Sequence, residues 1–203
     1  MDHVMKDCLM VSRQHRLADV CRRLHTPKIS NIVVCGSSGE VHGVIPLWHI
    51  LQLLQGNRAF TDRMIASLTL EEIGSALDAA LCFDAQHSRW KGMRIFAGEQ
   101  GDDLSHMICM AEGDRQLLSQ AVRSTPGCVI VCGASMISDT LLKEARERHV
   151  SLLRTEKHIH EACHALILSL PAERLMVRKA LNAVRFFLAL SVLCHYNRGE
   201  SRG

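Results

Sequence analysis

The fold is decided by Met107-Ile-Cys-Met-Ala-Glu-Gly-Asp-Arg-Gln-Leu-Leu-Ser-Gln-Ala-Val-Arg123, continued by Cys128-Val-Ile-Val-Cys-Gly-Ala134. Met107 to Met110 is a short apolar run of the kind that forms a buried strand. Gly113-Asp114-Arg115 makes a turn and opens a helix. Leu117, Leu118, Ala121 and Val122 give that helix one apolar face at i, i+1, i+4 and i+5. A second buried strand, Cys128 to Cys132, stops at Gly133. Asp139 is the expected N-cap of the next helix, Thr140 to about Arg148. A third strand, Val150 to Leu153, ends before Thr155. Strand, helix, strand, helix, strand is the pattern of an α/β fold, a mainly parallel sheet flanked by helices.

Working towards the N-terminus, Met93 to Ala97 and Ala80 to Phe83 read as strands, with a Gly/Asp turn at Glu99 to Asp103. Leu68 to Leu77 reads as a helix whose Thr69-x-x-Glu72 spacing suits a capping box. Asn57 to Ser67 is a polar connection of mixed charge. Before it, Leu9-Met10-Val11 is extended, and Leu17, Val20, Cys21 and Leu24 mark an amphipathic helix. Ile32 to Cys35 and Val41 to Ile45 form a hairpin around Gly36-Ser-Ser-Gly39. Pro46 suits the first turn of a helix over Leu47 to Leu54. Towards the C-terminus, Val177 to Tyr196 reads as one apolar helix followed by a polar tail.

The 203 residues are 47% apolar, enough to bury a core, with five Phe, two Trp and one Tyr, too few for aromatic stacking to dominate binding. A net charge of +3, without a block of like charges, argues against nucleic acid and anionic membranes as partners. The longest apolar stretch, Phe186 to Cys194, is far short of the ~20 residues of a membrane span. The N-terminus lacks the shape of a signal peptide. Nine cysteines, an odd number scattered through core segments, read as reduced thiols of a cytoplasmic protein.

Val4-Met5, Leu17-Ala18-Asp19-Val20, Lys28-Ile29-Ser30-Asn31, Val33-Val34, Gly39 and Gly43-Val44-Ile45 together resemble one copy of the cystathionine-β-synthase (CBS) motif. Thr69 to Ile73, Gly113-Asp114-Arg115, Val129 to Ala134 and Thr155 resemble the DRTGG domain. Leu170-Pro-Ala-Glu-Arg-Leu-Met176 then resembles the opening of a second CBS copy. The order is similar to the regulatory insert of CBS-containing, manganese-dependent inorganic pyrophosphatases. The expected domains are a CBS motif over 1–56, a linker over 57–67, a DRTGG-like domain over 68–168, and a truncated second CBS copy or terminal helix over 169–203.

The resemblance implies a non-catalytic regulatory module that binds AMP, ADP, ATP or a diadenosine polyphosphate and acts on a pyrophosphatase catalytic partner. The nucleotide contacts it implies are Met10, Val11, Ser12, Lys28, Ser30, Asn31 and His49. A single copy leaves an apolar sheet face bare, so a homodimer is expected. Two departures favour the alternative, a ligand-free dimerisation module left from a truncated pyrophosphatase. Pro46 and His49 stand where the family has a Thr and the Asp that holds the ribose, and neither supplies that chemistry. The Asp-His-His tripeptide of the family's catalytic domains is absent, so no enzymatic activity is expected.

A second candidate site lies at the crest of the parallel sheet, where ligands of open α/β sheets bind. Gly113, Asp114, Arg115 and Gly133 stand there, either to hold an anion or to make turn and cap contacts that lock the loops. His160 and His164 are one helical turn apart without a well-spaced third ligand, so no metal site is expected. Cys128 and Cys132 point to one face of a strand, as core thiols. Gly36-Ser-Ser-Gly39 lacks the length and the Lys of a phosphate-binding loop. Phe186, Phe187, Leu190 and Val192 of the terminal helix are expected to pack on the first CBS copy, to drive dimerisation, or both.

Overall fold

The computed structural model describes residues 9–24, 29, 31–87, 89–98 and 103–177. The expectations for Val4-Met5, Lys28, Ser30 and the helix carrying Phe186, Phe187, Leu190 and Val192 lie outside these residues. The chain forms two compact units. One holds the segment up to Gln55 together with the segment from Leu170, and the other holds Gly56–Ser169.

The first unit begins with β1 (Leu9–Ser12), α1 (Leu17–Arg23), β2 (Asn31–Cys35), β3 (Val41–Pro46) and α2 (Leu47–Leu54). The sheet runs β1-β2-β3, with β1 parallel and β3 antiparallel to β2. The β2–β3 hairpin turns at Gly36–Gly39, where Gly39 takes φ +82°, a left-handed conformation that glycine adopts without steric cost. The Glu40 carboxylate folds back to Ser38 and to His42 Nε2. Val11, Ile32, Val34 and Ile45 are buried with Leu17 and Val20 of α1 and Ile50 and Leu53 of α2. Each such side chain contributes roughly 1.5–3 kcal/mol of transfer free energy. Pro46 ends β3 and serves as N-cap of α2, one position earlier than its expected place in the first turn.

The segment from Leu170 returns to this unit through backbone hydrogen bonds. Leu17 N donates to Leu170 O (2.8 Å), Ala172 N to His15 O (2.8 Å) and Val177 N to Val44 O (2.8 Å). Arg13 donates through Nε (3.1 Å) and Nη2 (2.8 Å) to Glu173 Oε2. Met176 packs on Gly43, where an added Cβ would lie 2.9 Å from its Sδ.

The second unit opens with a helix at the expected linker. Residues 58–65 form α3 (Arg58–Ile65), capped by Asn57 Oδ1, which accepts from Phe60 N at 3.1 Å. Phe60, Thr61 and Ile65 are buried along one face, and the charges of Arg58, Asp62 and Arg63 had masked that amphipathic pattern. α4 (Leu70–Leu77) carries the expected capping box, Glu72 N to Thr69 Oγ1 at 3.1 Å and Thr69 N to Glu72 Oε2 at 2.7 Å. Then come β4 (Ala80–Phe83), β5 (Gly92–Ile95), β6 (Met107–Ala111), α5 (Arg115–Arg123), β7 (Cys128–Val131), α6 (Asp139–Glu147), β8 (Ser151–Arg154) and α7 (Ile159–Leu168).

The sheet order is β4-β8-β7-β6-β5, with β5 to β8 parallel and β4 an antiparallel edge strand. β6 and β7 are buried along their whole length, as central strands covered on both faces must be. Ser138, not Asp139, caps α6: its Oγ accepts from Leu141 N at 3.3 Å. Both residue types cap well. Ser138 as cap brings Leu141 and Ala145, one turn apart, into the core.

Candidate functional site

In the first unit, directly opposed strand residues share a sheet face. The register Met10↔Val33, Ser12↔Cys35, Val33↔Val44 and Asn31↔Pro46 therefore places Met10, Ser12 and Asn31 on one face, which they share with the buried Val33, Cys35 and Val44. Met10, Ser12 and Asn31 are exposed there, whereas Val11 points to the opposite face and is buried. Val11 can offer a ligand only its backbone. Asn31 lies at the opposite end of the parallel β1–β2 pair from Ser12.

His49 is engaged: its Nδ1 donates to Leu175 O at 2.9 Å, and its ring lies edge-on to Trp48 at 4.1 Å. The return segment thus holds the imidazole in place. Lys28 and Ser30 lie outside the described residues.

In the second unit, the loops at the carboxyl ends of the parallel strands are tied to each other. Asp114 Oδ1 accepts from Leu117 N (2.9 Å), capping α5. Ser135 Oγ donates to Gly113 O (2.9 Å), and Arg154 Nε donates to Ser135 O (3.1 Å). Gly133 N donates to Lys157 O (2.9 Å), and Thr155 Oγ1 to Leu77 O (2.7 Å). Gly133 is buried at φ +75°. Of the crest candidates, Asp114, Gly113 and Gly133 are therefore engaged in cap and loop contacts. Arg115 lines a separate groove of about 510 Å³ between α5 and α6, whose lining includes the Arg123–Glu144 pair at 2.6 Å.

The residue of this crest that the sequence did not single out is Glu112, which follows β6. Its Oε1 lies 2.5 Å from His158 Nδ1, and its Oε2 accepts from Ile159 N at 2.8 Å, the first amide of α7. A carboxylate facing the start of a helix is favoured by the unpaired amides there. Nothing in local spacing pairs residues 46 positions apart. The Ile159 amide and then His158 hold the Glu112 carboxyl below its ordinary value, and the hydrogen bond to Glu112 raises the His158 imidazole.

The signs give a pH window. The Glu112 contribution is present above the ordinary carboxylate value of 4.5 and is lost as pH falls through its lowered value. The His158 contribution is present below its ordinary 6.5 and is lost as pH rises through its raised value. The contact is thus strongest between 4.5 and 6.5. In an NMR titration, His158 should titrate above the ordinary histidine range, and Glu112→Gln should bring it back. An unchanged His158 titration in that variant would contradict the pairing.

His160 and His164 are exposed on α7. Among the described residues no group of three or more His, Cys, Asp or Glu side chains is placed to hold a metal ion. Cys109, Cys128 and Cys132 are buried and free. Burial pushes Cys109 up to about 11 and Cys132 up to about 12, and raises Cys128 as well, so these thiols stay protonated at neutral pH. No helix among the described residues is long and apolar enough to cross a membrane.

No protein-family model matches the chain, and no curated protein matches it. Among solved structures, the chain is similar to the CBS and DRTGG domains of the regulatory region of Clostridium perfringens pyrophosphatase, solved with its activator diadenosine tetraphosphate. The TM-score is 0.61 at 15% identity, covering 87% of this chain and 80% of that one. The fold is therefore α/β with a CBS/DRTGG-like architecture. The likeness is to a regulatory region rather than a catalytic core.

Proposed function

We propose that the chain is a non-catalytic regulatory module that binds an adenine nucleotide on the first unit's sheet and passes the binding event to a pyrophosphatase catalytic partner. The observation that carries this reading is a fold likeness covering 87% of the chain, more than either unit alone holds, to a regulatory region bound to a diadenosine polyphosphate. The sheet face bearing Met10, Ser12 and Asn31 would receive the base and ribose. His49, engaged by Leu175 O, would contribute less to ribose recognition than the carboxylate of the family pattern. Of the crest candidates, Gly113, Asp114 and Gly133 would serve as loop locks, and Arg115, on the groove between α5 and α6, would be the one to meet an anion.

The second reading, a dimerisation module without ligand, is favoured by α2. Trp48, Leu51 and Leu54 of that helix are each about half exposed, as is Met10. A second copy of the chain covering this apolar face would remove it from water. Calorimetric titration with AMP, ADP, ATP and diadenosine tetraphosphate, run beside sedimentation analysis, separates the two. Saturable binding of one nucleotide supports the regulatory reading. A dimer that binds none of the four at millimolar concentration supports the second reading and overturns the first.

A further inference from the structure

We infer that the turn between β1 and α1 carries a phosphoryl-anion site made by the His15 Nε2–H and the Arg23 guanidinium. The backbone of this turn is fixed: His15 N donates to Ser12 O at 3.1 Å, and His15 O accepts from Ala172 N at 2.8 Å. The ring is fixed as well, because Ser12 N donates to His15 Nδ1 at 2.7 Å. A ring nitrogen that accepts carries no proton, so the imidazole proton sits on Nε2. Arg23 Nη2 lies 3.3 Å from that same Nε2. Guanidinium has no acceptor, so this contact sets two donors side by side. Such a pair is satisfied by an acceptor that both can reach.

Among the described residues the nearby carboxylates are already engaged, Asp19 with Arg22 and with Arg16 N, and Glu173 with Arg13. Arg13, Arg16, Arg22 and Arg23 outnumber Asp19 and Glu173 by two, so the surrounding charge favours a doubly charged anion over a single carboxylate. Arg23 and the imidazole N–H would each bond one oxygen of a phosphoryl group, the charge-assisted geometry at which arginine is strong. The anion is either free phosphate or the phosphate of a nucleotide. The inference does not rest on the nucleotide reading, because inorganic phosphate alone tests it.

The experiment is an NMR titration of the isotope-labelled full chain, following the His15 ring nitrogens and the Arg23 side chain. The free chain should show His15 protonated at Nε2. Inorganic phosphate and AMP should shift both side chains, and adenosine should not. Tighter binding of AMP than of phosphate assigns the site to a nucleotide phosphate, and equal binding assigns it to the free anion. Arg23→Gln should weaken phosphate binding by about tenfold to a hundredfold. His15→Asn should do the same while keeping, through its Oδ1, the acceptor for Ser12 N. An Nδ1-protonated His15, an unresponsive pair, or variants that bind as well as the parent would overturn the inference.

Discussion

Trp90→Ala should lower the unfolding free energy of the second unit by about 3–5 kcal/mol. Trp90 lies just before β5, is 4% exposed, and donates from Nε1 to Leu68 O at 2.9 Å. The ring also fills the space beside Gly127, where an added Cβ would lie 3.0 Å from Cζ3. Truncation therefore opens a cavity and leaves the Leu68 carbonyl without its donor, two losses at one place. For a unit of this size the melting temperature should fall by roughly 10 °C or more. Trp90→Phe keeps most of the packing and loses the donor, so it should cost much less than the alanine variant. Urea unfolding followed by circular dichroism reads both. A loss under about 1 kcal/mol for Trp90→Ala, the scale of an ordinary surface change, would contradict this account of the packing.

Gly133→Ala should cost about 2–4 kcal/mol, from two sources. At φ +75° a side chain sits in the left-handed region, which disfavours every residue with a Cβ. The new Cβ would also lie 2.8 Å from Glu112 Oε1, so the carboxylate must leave the start of α7 or the His158 contact. The second source makes the effect testable beyond stability. In Gly133→Ala the His158 titration should move back towards its ordinary value. Glu112→Gln, made in the Gly133→Ala background, should then cost less than in the parent chain, because the two changes damage the same contact. Additive losses would place the whole effect in the backbone strain.

The strand–helix alternation from Met107 to Arg154 was legible because buried parallel strands are continuous apolar runs and polar capping residues precede their helices, although the cap of α6 is Ser138 and not its neighbour Asp139. The Thr69–Glu72 capping box was legible for the same reason: both partners lie within one turn. The helix at Arg58–Ile65 was not, since three charges among eight residues hide a face of Phe60, Thr61 and Ile65 that only the second unit's core reveals. It is tied to that unit by Asp62, which accepts from Met93 N at 3.0 Å and pairs with Arg94 at 2.9 Å. That contact spans some thirty positions and leaves no local mark. Of the candidate sites, the strand period already separates Val11 from Met10 and Ser12. The engagement of His49 by Leu175 O and of Glu112 by α7 is set by tertiary return of the chain, which spacing does not encode.

The most direct test of the central claim is a thermal-shift titration of the purified chain with AMP, ADP, ATP and diadenosine tetraphosphate. A ligand that binds only the folded state adds about 2.7 kcal/mol at a hundredfold excess over its Kd. For a chain of this length that is a rise of roughly 5–10 °C. The regulatory reading predicts a saturable rise of that order with at least one nucleotide. An unchanged melting temperature with all four at millimolar concentration, in a chain that unfolds cooperatively, would contradict it.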